Sequence, residues 1–181
     1  MYSHKDILRA IQMKKFIIEP FSHEMLEPNS VFVHIDDEIA IAKKGKVDPV
    51  RTKAYDKFFT KKKIDAKNGF VLKPGMLILG RTKERVGVSE HLGVLIDGRS
   101  TLSRLGVSVT QTAMIIEAGH GTPEPRKIVL EISNSGPFDV VLSRNMRIGK
   151  LMLFDLKSKS AILYDSYGKY GKKRDELLPR A

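Results

Sequence analysis

Cysteine is absent from the 181 residues, and aromatic side chains make up only 7% of them. Without cysteine there is no disulfide, no thiolate metal ligand and no thiol nucleophile. The five histidines, His4, His23, His34, His91 and His120, show no close pairing at metal-ligand spacing, so no zinc site is expected. Walker A and G-x-G-x-x-G patterns are also missing, which removes two common phosphate-cradling loops. No apolar run approaches bilayer-spanning length. The residues after Met1, Tyr-Ser-His-Lys-Asp, do not resemble a secretory leader, so a cytoplasmic location without membrane partners is expected.

Positive charge is abundant. Thirty-two lysines and arginines face 21 acids, for a net charge of +11, which favours anionic partners. The lysines are scattered in short runs such as Lys14-Lys15, Lys43-Lys44 and Lys61-Lys62-Lys63. Most of them read as a solvated surface. The few aromatics are not interleaved with these runs, so a single-strand-binding platform is not indicated and nucleic acid is not an expected partner. A hydrophobic content of 41% suffices for one core, and a single domain over 1–181 is expected, with a basic tail from 164 to 181.

Ser3 followed by Asp6 and an Ile7, Leu8, Ile11 stripe predicts a capped N-terminal helix ending near Lys14-Lys15. Thereafter short apolar runs dominate: Phe16–Ile18, Val31–Val33, Ile39–Ile41, two runs about the Pro74-Gly75 turn, Leu92–Ile96, Ala113–Ile116, Ile128–Ile132, Asp139–Leu142 and Ile148–Leu156. Many short strands at close spacing predict a mainly β fold, a β-sandwich or jelly-roll-like barrel with one N-terminal helix. Residues from about 43 to 67 read as a charged excursion with at most one helical turn.

Two segments carry chemistry. Gly98-Arg99-Ser100-Thr101-Leu102-Ser103-Arg104-Leu105-Gly106 sets two guanidiniums and three hydroxyls between glycines, a composition suited to phosphate. One helical turn over 100–104 would put Ser100 and Arg104 on one face and aim Arg99 elsewhere. The alternative is a surface turn whose arginines pair with nearby carboxylates. In the second segment, Ile128, Leu130 and Ile132 face one way along a strand, and Val129 and Glu131 the other. Glu131 either faces solvent or sits against Val129 in an apolar pocket, where its proton affinity rises into a range useful for proton transfer. Asn134 serves a ligand or a turn. Met76, Met114, Met146 and Met152 read as core filler.

With Ile18-Glu19-Pro20-Phe21, Pro28-Asn29-Ser30, Pro74-Gly75, Thr112-Ala113, Leu130-Glu131 with Asn134, Met146-Arg147-Ile148-Gly149 and Lys169-Tyr170 in the same order, the chain resembles the dCTP deaminases of the dUTPase-related superfamily. The resemblance runs over nearly the whole sequence. It implies a homotrimer of distorted jelly-roll subunits with active sites between neighbours. It also implies zinc-independent conversion of dCTP to dUTP and ammonia, Mg2+ accompanying the triphosphate, and a role in supplying dUMP for dTTP synthesis. The zinc deaminases need H-x-E and C-x-x-C elements, which are absent here.

Carried over by resemblance, Glu131 activates the water and protonates the leaving amine, while Ser100 and Arg104 orient that water and steady the ring. Arg99, Thr101 and Lys169 hold phosphates. The backbone at Ala113, beside Thr112, and at Val129 reads the base edge; Tyr164 packs on the deoxyribose, Glu117 lies by its 3′-hydroxyl, and Tyr170 offers a stacking ring. The chain departs from the family pattern at Thr110 (usually His), Met114 (usually Gly) and Glu117 (usually Asp), and in a longer 119–128 loop. Thr110 and Met114 fall where the family responds to dTTP as feedback ligand. A dUTP diphosphatase or bifunctional enzyme is the alternative, with Glu117 activating a water at phosphorus. A non-catalytic nucleotide- or nucleic-acid-binding module is the third reading.

Overall fold

The computed structural model describes residues 1–168, 170 and 175–179; Lys169 and the other residues of 171–174 and 180–181 lie outside the described set. Helix α1 (His4–Gln12) starts as its sequence predicts: the Ser3 hydroxyl accepts from the Asp6 amide, and the Asp6 carboxylate accepts from Ser3. That reciprocal pair satisfies donors a helix start leaves open. Ile7 and Ala10 bury its inner face.

The strands follow as β1 (Phe16–Glu19), β2 (Val31–His34), β3 (Glu38–Ala42), β4 (Phe59–Lys63), β5 (Phe70–Leu72), β6 (Leu77–Val88) and β7 (Leu92–Asp97). After helix α2 (Ser100–Arg104) come β8 (Val107–Ser108), β9 (Ile115–Ile116), β10 (Arg126–Asn134), β11 (Val140–Leu142) and β12 (Arg147–Asp155), then the short helix α3 (Tyr164–Tyr167). One sheet runs β4-β3-β6-β10-β8 with β1 also on β6, a second runs β2-β12-β7-β9, and β5 pairs with β11. Every pairing is antiparallel. The inner faces meet in one apolar cluster that includes Ile39, Ile78, Leu130 and Ile132 from the first sheet and Val33, Val94, Ile96 and Leu151 from the second. The result is the expected mainly β, jelly-roll-like architecture with an N-terminal helix.

Three features differ from the sequence reading. The 43–67 excursion holds a strand as well as a helical turn at Asp56–Phe58: β4 pairs with β3 from Ala42↔Phe59 to Glu38↔Lys63. Its lysine-rich sequence hides the strand because β4 is an edge with four of its five residues exposed. Residues 164–179 do not end as a solvated tail throughout, since α3 forms and Leu177 is 4% exposed. Met114 is 42% exposed and fills no core.

Candidate active site

Strand β10 alternates buried and half-buried residues along its length, as the apolar pattern predicts. Ile128, Leu130 and Ile132 enter the core, while Val129 and Glu131 look to the opposite face, Glu131 standing across from Leu79 of β6. A bulge holds this geometry. The Ile128 amide donates to the Thr82 hydroxyl at 2.9 Å, and that hydroxyl donates to the Glu84 carbonyl at 2.7 Å. Gln111 braces the strand from outside, its Nε2 donating to Ser133 Oγ at 2.7 Å and to the Glu131 carbonyl at 3.3 Å.

Burial pushes the Glu131 carboxyl above its ordinary pKa, and hydrogen bonds from the backbone at Glu131 and Gln111 only partly offset it. No arginine side chain contributes among the described residues. Within one chain, burial therefore sets the direction of the Glu131 shift.

Glu131 lines a cavity of about 440 Å³, whose wall also includes Ala113, Glu117, Val129, Tyr164 and Tyr170. Six of the residues singled out in the sequence thus converge. The Tyr164 ring lies 5.7 Å from that of His120 and under the Arg126 guanidinium at 5.8 Å, and burial raises its pKa. His120 is neutral there: burial, reinforced by Arg126, pushes its imidazole down to about 4. Arg126 pairs with Asp165 and donates to the Tyr170 carbonyl at 2.9 Å. Glu117, at the exposed rim, accepts from the Tyr167 hydroxyl.

The last described segment closes one side. Asp175 pairs with Arg85 at 2.5 Å and accepts from the Lys127 amide at 3.0 Å. The Asp175 carbonyl accepts from Arg81, which also pairs with Glu38 at 2.5 Å. Leu177 then packs with Ala40, Leu79, Phe59 and Val129 in an apolar cluster separate from the main core. Reasoning from sequence missed His120, Arg126, Lys127 and this segment. Arg126 follows Pro-Glu-Pro and reads as a loop cation, whereas the Leu177-Leu178 pair in a polar end was a usable signal.

The second chemical segment lies elsewhere in the chain. Ser100 to Arg104 does form one helical turn, with Arg99 as its N-cap. Ser100, Thr101 and Arg104 are exposed, as is Thr112, and none lines the Glu131 cavity. Arg99 stacks on Phe32 at 5.2 Å, and Arg147 stacks on the same ring at 4.5 Å. The turn is fixed at its end by Gly106 (φ +82°), where a side chain would collide with the Gly136 amide at 2.3 Å. Asn134 holds its own 134–138 turn against β5: its Nδ2 donates to the Leu72 and Phe138 carbonyls at 2.8 and 2.7 Å, and its Oδ1 accepts from the Gly136 amide. Among the described residues, no group of three His, Asp or Glu side chains is placed to hold a metal ion, and no helix is long and apolar enough to cross a membrane.

A family profile described as dCTP deaminase-like matches residues 1–156. A protein of Corynebacterium glutamicum named "dCTP deaminase, dUMP-forming" is 32% identical over 174 residues, covering 96% of this chain and 89% of the relative. A Halobacterium salinarum protein of the same name is 34% identical over 161 residues, covering 86% and 80%. Among solved structures, 2'-deoxycytidine 5'-triphosphate deaminase from Agrobacterium tumefaciens superposes with a TM-score of 0.63 at 18% identity, over 84% of this chain. This chain spans 46% of that longer one, and the likeness concerns the fold.

Proposed function

The chain belongs to the dCTP deaminase-like family, and from that premise we propose that it is a hydrolase converting dCTP and water to dUTP and ammonia at the Glu131 cavity. The carrying observation is a carboxyl group half withdrawn from water, with raised proton affinity, on the wall of a cavity large enough for a nucleotide's base and sugar. Attack at C4 of cytosine requires water to lose a proton as its oxygen bonds to carbon. The departing amine then requires a proton as the C4–N bond breaks. One carboxyl group serves both steps when its pKa is raised toward the operating pH, so that it takes a proton readily and gives it back readily. Glu131 takes one proton from the water and delivers it to the departing amine, while the water's other hydrogen ends on ring N3 as the C4 oxygen becomes a carbonyl, so dCTP and water close to dUTP and neutral ammonia.

Ala113 and Val129 line the cavity and their backbone would read the base edge, while Tyr164, beside His120 on the same wall, would pack on the deoxyribose. Glu117 stands at the rim for the sugar 3′-hydroxyl. Arg99, Thr101 and Lys169 would hold phosphates, with Mg2+ arriving on the triphosphate as part of the substrate; the chain's own described residues form no cluster for a resident ion. Ser100 and Arg104 lie away from the cavity in one chain, and a homotrimer resolves this by bringing a neighbour's α2 to it. dTTP would compete at this site as a feedback ligand, with Thr110 and Met114 bearing on its effect.

A second activity is favoured by the relatives' name, "dUMP-forming". Formation of dUMP from dCTP requires loss of pyrophosphate as well as of the amine. Glu117, hydrogen-bonded to Tyr167 at the rim, is the carboxylate available to activate a second water. Incubation with dCTP and with dUTP in the presence of Mg2+, scoring ammonia and pyrophosphate separately, tests both. Ammonia from dCTP is the expected result. Pyrophosphate appearing with it establishes the coupled reaction, and no ammonia refutes deamination.

A further inference from the structure

Between residues 43 and 67 ten lysines and arginines face three acids, Asp48, Asp56 and Asp65, so this hairpin region holds seven of the chain's eleven net positive charges. All ten cations are exposed. Among the described residues two of them form an ion pair, Arg51 at 3.8 Å from Asp48 and Lys63 at 3.9 Å from Asp37, both at the outer limit of such a pair; Lys62 also acts on Asp65, and Lys57 lies over the Phe58 ring at 5.1 Å. Folding gathers the rest into one place, because β4 pairs with β3 and the 44–57 stretch closes at the end of that ribbon, where the Lys43 amide donates to the Phe58 carbonyl at 2.8 Å.

Lysines on an edge strand also prevent sheet-to-sheet aggregation. That role accounts for Lys61, Lys62 and Lys63 on β4 and does not extend to the seven other cations, which are on no exposed strand edge. Nine of the ten are lysines, point charges suited to phosphate oxygens. The region's rings are not offered for stacking: Tyr55 is buried, and Phe58 and Phe59 are half-buried. Exposed rings for base stacking are thus lacking in this region, and Arg51 is its one arginine of the kind that anchors protein interfaces. The scarcity of interleaved aromatics argues only against single strands.

We propose that the β3–β4 hairpin and the excursion at its tip bind the phosphate backbone of double-stranded nucleic acid without reading its bases. The site is separate from the Glu131 cavity and stands whether or not that cavity deaminates dCTP.

Fluorescence anisotropy of the full chain with two unrelated 30-base-pair DNA duplexes, across a salt series, tests this. Engagement of about five phosphates predicts a log Kd against log salt slope with a magnitude of about 4 to 5, equal for both sequences. Substituting Lys44, Lys46, Lys53 and Lys62 together by Gln is expected to weaken binding at least about tenfold at 100 mM salt and flatten the slope by about 0.9 per lysine. Its melting temperature and ammonia release from dCTP should stay at wild-type values, and Arg at the same four positions should keep binding. No binding at 50 mM salt, wild-type binding by the Gln variant, or tighter binding of oligo(dT) than duplex overturns the proposal. Displacement of the duplex by polyglutamate of equal charge as effectively as by unlabelled duplex also overturns it, pointing to an acidic protein partner.

Discussion

Glu131 and His120 sit on one cavity and are moved in opposite directions by the same cause, withdrawal from water. For Glu131 the folded state holds its proton to a higher pH than the unfolded chain, whose ordinary value is 4.5. The stability that the protonated form supplies is therefore present below 4.5 and lost as pH rises through the folded value. Glu131→Gln removes that loss, so the variant should melt higher than wild type at pH 8, with the gap closing below pH 4.5. An unchanged gap across the range would contradict burial as the cause. His120 has the opposite sign. Its value falls from 6.5 to about 4, so the unfolded chain takes the proton first and stability is lost as pH drops through that window. The full loss is about 3 kcal/mol, and His120→Phe, keeping a ring beside Tyr164, should flatten the acid limb of a denaturation–pH profile by that amount.

At the scale of elements, what was legible in the sequence is what depends on period and cap chemistry. Helix α1, the alternation along β10 and the helical turn at Ser100–Arg104 all follow from local pattern. Strand β4 did not, because an edge with exposed side chains carries no apolar alternation to read. Strand β8 is two residues long and its pairing with β10 is set by register alone. The cavity's far wall was hidden for another reason: Asp175 and Leu177 meet partners some 40 to 140 positions away, and no local pattern encodes that. This wall is held by a small satellite cluster and a few ion pairs, so it should open before the whole molecule unfolds. Leu177→Ala is expected to lower the melting temperature by less than about 2 °C. Amide exchange at Lys127, whose N–H is capped by Asp175, should accelerate at least about tenfold, equivalent to about 1.4 kcal/mol of local stability. A large fall in melting temperature with unchanged exchange would show the segment to be part of the main cooperative unit.

For the whole molecule, the proposed trimer is motivated by one observation: no residue of α2 lines the Glu131 cavity of its own chain. A proposed site built from two copies is testable by complementation. Glu131→Gln and Arg104→Ala chains, each inactive alone, should regain activity in about a quarter of sites when co-refolded at equal amounts, because closed symmetry pairs each copy's cavity with a neighbour's helix. No recovery would place Arg104 outside the site or beside its own chain's cavity. The account as a whole rests on Glu131 as the group that carries the proton, and the most direct measurement compares ammonia release from dCTP by wild type and Glu131→Gln alongside calorimetric dCTP binding. The prediction is a loss of turnover of about 10²- to 10⁴-fold or more with binding kept within about threefold. Wild-type turnover in the variant, or loss of binding in step with turnover, would contradict it.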